Sequence, residues 1–70
     1  MKEVKISREP MELFKILKFE NMVASGGEAK SVIADGLVSV NGAIETRKRK
    51  QIVAGDIIEF ADQEYRILLK

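Results

Sequence analysis

The sequence predicts an α+β fold, with two short packed helices beside a small, mostly antiparallel β-sheet. Three observations predict it. Apolar residues recur at helical spacing in two segments, around Leu13 to Phe19 and Ala29 to Ile33. From Leu37 onward the apolar period changes from 3.6 to 2. Asn41-Gly42 and Gly55-Asp56 then punctuate short apolar runs of strand length.

Each element has its own local reason. Val4 and Ile6 alternate with Glu3, Lys5 and Ser7, the pattern of a strand with one buried face. Pro10 suits the first position of a helix, and Leu13, Phe14, Ile16 and Leu17 carry that helix through about Phe19. Lys15 and Lys18 lie off its apolar stripe and share one exposed edge. Ser25-Gly26-Gly27-Glu28 reads as a capping box, in which the Ser side chain accepts from the Glu28 amide and Glu28 reaches back. Ala29, Val32 and Ile33 form the apolar stripe of this second helix, and Gly36 supplies its left-handed stop. Val38 and Val40 lead into the Asn41-Gly42 hairpin turn, with Ile44 on the partner strand. The basic run Arg47 to Lys50 interrupts or bulges that strand before Ile52 and Val53 resume apolar character. Gly55-Asp56 marks a turn, Ile57, Ile58 and Phe60 form a strand, and Ala61-Asp62-Gln63 turns into a last strand from Tyr65 to Leu69.

The 70 residues fit one domain, spanning 1–70. A domain this small buries only roughly 60% of the surface its unfolded chain exposes, so its core is thin. Cys and His are both absent, which removes disulfides and the usual zinc ligands. The net charge is +1, but Arg47, Lys48, Arg49 and Lys50 are consecutive. Without those four, eight basic residues face 11 acidic ones, a net of −3. A mildly acidic body with one basic segment points to a localised anion site.

The ordered set Ser25-x-x-x-Ala29-Lys30-x-Val32-Ile33-x-x-Gly36-x-Val38-x-Val40-Asn41-Gly42, followed by Gly55-Asp56-x-Ile58, resembles the RNA-binding domain first known from ribosomal small-subunit protein four, also called the alpha-L motif. The likeness spans about residues 11–60. Glu45-Thr46-Arg47-Lys48-Arg49 is similar to small stand-alone bacterial members of the YbcJ type, which add an N-terminal strand to the motif. The resemblance implies RNA binding by two helices plus a β-hairpin loop. It departs at Gly26, where the family often carries Arg directly after the capping Ser, while the second basic position of that helix is kept as Lys30.

The candidate RNA-binding residues are therefore Lys15, Lys18, Ser25, Gly26, Gly27, Lys30, Arg47, Lys48, Arg49 and Lys50. Two readings stand for Gly26 and Gly27: they ease the chain into the helix, or they let a phosphate approach free backbone amides beside Lys30. The basic run either neutralises several phosphates or is a solvated stretch, and strand alternation would put only every second cation on one face. Phe14, Phe19, Phe60 and Tyr65 fall mostly in apolar patterns and read as core. With few aromatics free to stack, shape and phosphate recognition of folded RNA fits better than single-strand readout.

No catalytic or metal-binding residue and no cofactor is expected. Without His or Cys the commonest general base and the best thiol nucleophile are missing, and Ser25, Ser31 and Ser39 have no histidine to activate them. The expected function is non-catalytic recognition of structured RNA of the ribosomal or transfer RNA class. The alternative is a small protein-interaction adaptor that docks an acidic partner. RNA-processing proteins are further candidate partners, a membrane is not, and a cytoplasmic monomer is expected.

Overall fold

A computed structural model describes residues 1–70. Alternation decides the first strand: in β1, Lys2–Ile6, Val4 and Ile6 are buried while Lys2, Glu3 and Lys5 face solvent. After a two-residue strand, β2 at Met11–Glu12, come the helices α1, Leu13–Phe19, and α2, Gly26–Ala34. The remaining strands are β3 Val38–Val40, β4 Ala43–Ile44, β5 Gln51–Ile52, β6 Ile57–Phe60 and β7 Gln63–Leu69.

Five strands make one sheet in the order β1-β7-β6-β3-β4, and β2 pairs with β5 separately. Every pairing is antiparallel except β1 with β7, where Val4 lies opposite Ile67. Two tight turns share one chemistry. Asn41 and Gly42 have φ of 53° and 86°, and Ala61 and Asp62 have 53° and 63°. Two consecutive left-handed residues match the right-handed twist of hairpin strands. Asn41 also closes a longer loop: its side chain accepts from the Ile57 N–H at 2.9 Å and donates to Asp56 at 3.0 Å. The second Asp56 oxygen accepts from the Val53 N–H at 3.0 Å.

The two helices pack on the sheet through one apolar cluster. Leu13, Ile16 and Leu17 of α1 meet Ala29 and Ile33 of α2, with Val38, Ile52, Ile58 and Ile67 beneath. All 13 buried residues are apolar, so the core carries no polar group that needs a partner.

Two local expectations are corrected and a third is narrowed. Pro10 is not the first helical residue: Met11 and Glu12 pair with Ile52 and Gln51, and α1 starts at Leu13. The strand pairing captures the backbone that the helix would otherwise have used. Phe19 is not core; it ends α1 and is 58% exposed. Of the two alternatives for the basic run the bulge is set aside: the run interrupts the strand as a loop between β4 and β5. In that loop the Lys50 N–H donates to the Arg47 carbonyl at 3.2 Å.

Candidate nucleic-acid interface

The first turn of any helix has N–H groups without partners inside the helix. In α1 the basic loop supplies two of them. The Leu13 N–H donates to the Lys50 carbonyl at 2.9 Å, and the Phe14 N–H to the Lys48 carbonyl at 3.0 Å. The loop is thus anchored to α1 through its backbone rather than its side chains. Arg47, Lys48 and Arg49 are exposed and Lys50 is half-buried. Because the segment is not a strand, the alternation of faces does not apply to it.

This anchoring brings the cations of three elements around α1. Lys15 pairs with Glu12 at 3.2 Å, and the other Glu12 oxygen is 4.0 Å from Arg49 Nε. Lys30, on α2, holds its ammonium 5.0 Å from the centre of the Phe14 ring. Phe14 thus carries the α2 cation over its ring and anchors the loop through its backbone N–H. Lys18 holds its ammonium 5.8 Å from the centre of the Phe19 ring. Its Cδ is 3.7 Å from where a Cβ on Gly26 would stand, so its stem lies against the start of α2.

Arg47 differs from its neighbours. Its guanidinium makes a bidentate pair with Glu45, at 2.9 and 3.1 Å, and its backbone N–H donates to the same carboxylate at 3.0 Å. These side-chain and then backbone hydrogen bonds hold the Glu45 carboxyl well below its ordinary 4.5, at about 2. The same pairing pushes the Arg47 guanidinium further up. Arg47 therefore stands beside a fixed negative charge. Residue composition hid this, although Glu and Arg two apart in extended chain lie on one face, and that spacing was the available signal.

At the start of α2, Ser25 Oγ accepts from the Glu28 N–H at 3.1 Å. The Glu28 carboxylate accepts from the Ala24 N–H at 2.7 Å, one residue upstream of the reciprocal partner in a capping box. The N–H groups of Gly26 and Gly27 have no protein acceptor. The cap is in place, and the Glu28 carboxylate already offsets the positive end of the helix.

The model for the S4 domain family matches residues 4–68. The chain is 47% identical over 58 residues to YbcJ of Escherichia coli (strain K12), whose name makes it a candidate RNA-binding protein; the match covers 83% of each chain. An uncharacterised YbcJ from Shigella flexneri matches to the same extent. The solution structure of the E. coli YbcJ, described as revealing an alpha-L motif involved in RNA binding, superposes with a TM-score of 0.73 at 42% identity, covering 97% of this chain and 87% of that one. The crystal structure of 30S ribosomal protein S4e from Thermoplasma acidophilum superposes at 0.71 with 27% identity, covering 84% of this chain and 31% of that one. The helix pair, the hairpin and these matches agree: the chain belongs to the S4 domain family and is a YbcJ-like bearer of the alpha-L motif.

Proposed function

We propose that this chain is a non-catalytic RNA-binding module that grips structured RNA, of the ribosomal or transfer RNA class, through phosphate and shape contacts. One observation supports the reading: the Arg47–Lys50 loop has its backbone hydrogen-bonded to the start of α1, where Glu12 stands beside both Lys15 and Arg49 and Lys30 of α2 lies over the Phe14 ring. A polyanion touching that face releases counterions from several cations at once.

Within this face the cations have unequal roles. Lys30, Lys48 and Lys50 have no carboxylate within ion-pair distance, and Lys18 is equally free. These make the main phosphate contacts. Lys15 and Arg47 are already paired and contribute less, and Arg49 stands at the limit of pairing with Glu12. Gly26 and Gly27 follow the capping Ser25, and the Lys18 stem lies at van der Waals distance from the Cβ position of Gly26. Lys18 then brings a cation beside the cap, next to the position where relatives of this family carry Arg.

The test is a gel shift of a folded RNA hairpin at two salt concentrations with the double variant Lys48→Glu, Arg49→Glu. A loss of affinity of at least tenfold at low salt is expected, with a shallower salt dependence. Unchanged affinity removes the reading. Affinity purification with and without ribonuclease separates the adaptor alternative, because partners that survive ribonuclease with no RNA recovered belong to a protein-docking surface.

A further inference from the structure

We propose that a groove beside the basic face, floored by Pro10, Met11 and Phe19, accepts one unpaired nucleotide of the bound RNA. The proposal rests on the RNA-binding reading above and extends it from phosphates to a base.

Phe19 is an aromatic ring left largely exposed, with only the flexible Lys18 side chain over it, in a protein whose other rings, Phe14, Phe60 and Tyr65, pack against the core. Exposing a ring of that size costs hydrophobic free energy that a small domain has little reserve to spare. It lines two adjoining depressions, of about 250 and 180 Å³, and Met11 lines both. The larger has Arg8 and Lys15 on its walls. The smaller has Lys5 and Lys70, with Glu20 beside them, so the phosphate belongs to the larger one.

An apolar aromatic floor with cations at its rim matches the chemistry of a splayed nucleotide. The base takes the ring and the phosphate takes the guanidinium or ammonium. Arg8 suits the second task because no carboxylate lies within ion-pair distance of it. Its guanidinium donors can hold two phosphate oxygens at once. The groove is continuous with the basic face, since Lys15 and Glu12 line it and Glu12 reaches toward Arg49. A duplex lying along Lys30 and Lys48 would therefore present a bulged or terminal nucleotide to Phe19.

The test compares two RNA hairpins that differ by a single bulged 2-aminopurine nucleotide. The wild-type protein is expected to bind the bulged hairpin about five- to 150-fold more tightly, the range of a single base–aromatic stack, with a change in 2-aminopurine fluorescence. Phe19→Ala should abolish both the preference and the fluorescence change while leaving affinity for the fully paired hairpin unaltered. Phe19→Trp should retain the preference. Arg8→Gln should weaken the bulged complex more than the paired one. If Phe19→Ala keeps the wild-type preference, or if the wild type binds both hairpins equally, the nucleotide site is overturned while the basic face stands. Failure of the wild type to bind either hairpin overturns the RNA-binding reading itself.

Discussion

At the residue scale, the informative side chains are those whose charge is already spoken for. Glu45 faces Arg47 through three hydrogen bonds, so the pair presents little net charge to an incoming phosphate. Arg47→Gln should therefore change RNA affinity less than Lys48→Gln under the same salt. Glu45→Gln should release the guanidinium, strengthen binding and steepen the log affinity against log salt slope by roughly one. Salt titrations of the three variants check this ordering. The pair also has a pH signature. The Glu45 carboxyl is depressed on folding, so its contribution to stability is complete above about 4.5 and is lost as pH falls toward about 2. In an acid titration followed by circular dichroism, Glu45→Gln should lack that part of the wild-type loss, and carboxyl NMR should place the Glu45 midpoint near the lower value.

At the scale of elements, short-range chemistry was readable and long-range partnering was not. Ser25, Glu28 and Gly36 announced α2, because a cap and a left-handed stop are settled within a few residues. Asn41-Gly42 announced its hairpin for the same reason. Pro10 misled because its preference for a helix start is weak beside the pairing of Met11 and Glu12 with a strand some forty residues away. The parallel partnership of β1 with β7 and the hydrogen bonds from α1 to the basic loop are likewise non-local, and no window of sequence contains both partners. Phe19 was misread because it closes the apolar period of α1 but lies one turn beyond the buried Ile16. Two stability predictions belong here. Ser25→Ala removes the cap and should cost about 1 kcal/mol in urea denaturation. Asn41→Ala removes two side-chain hydrogen bonds and places a Cβ residue without a polar side chain at φ 53°, and should cost about 2 kcal/mol, more than Ser25→Ala.

For the whole molecule, the arithmetic of charge and the anchoring of one loop matter more than the net value. A chain of net charge +1 is no general polycation, yet seven of its 12 basic residues lie on α1, α2 and the β4–β5 loop. If about four phosphates are neutralised, log affinity should fall with log salt at a slope of roughly −3, and a slope near zero would contradict phosphate recognition. The acidic side chains Glu59, Asp62 and Glu64 cluster elsewhere, around the β6–β7 turn beside Lys2. Such separation of sign orients the molecule before contact and limits the ways it meets a polyanion. The candidate residues on the basic face were legible as a group because four consecutive cations stand out in any sequence. Their ranking was not, since it depends on which carboxylates folding brings alongside.

The parallel alignment of the outermost strand with its neighbour also sends the two ends of the polypeptide to opposite ends of that strand pair. Met1 emerges beside the acidic turn, whereas Lys70 donates its backbone N–H to the Ile6 carbonyl and borders the depression that Phe19 lines. A bulky fusion following Lys70 would crowd the aromatic groove, and one preceding Met1 would project from the far end. Purification handles and fluorescent reporters are thus not interchangeable here: those joined at the carboxyl end should blunt discrimination between bulged and paired hairpins, and those at the amino end should leave it intact.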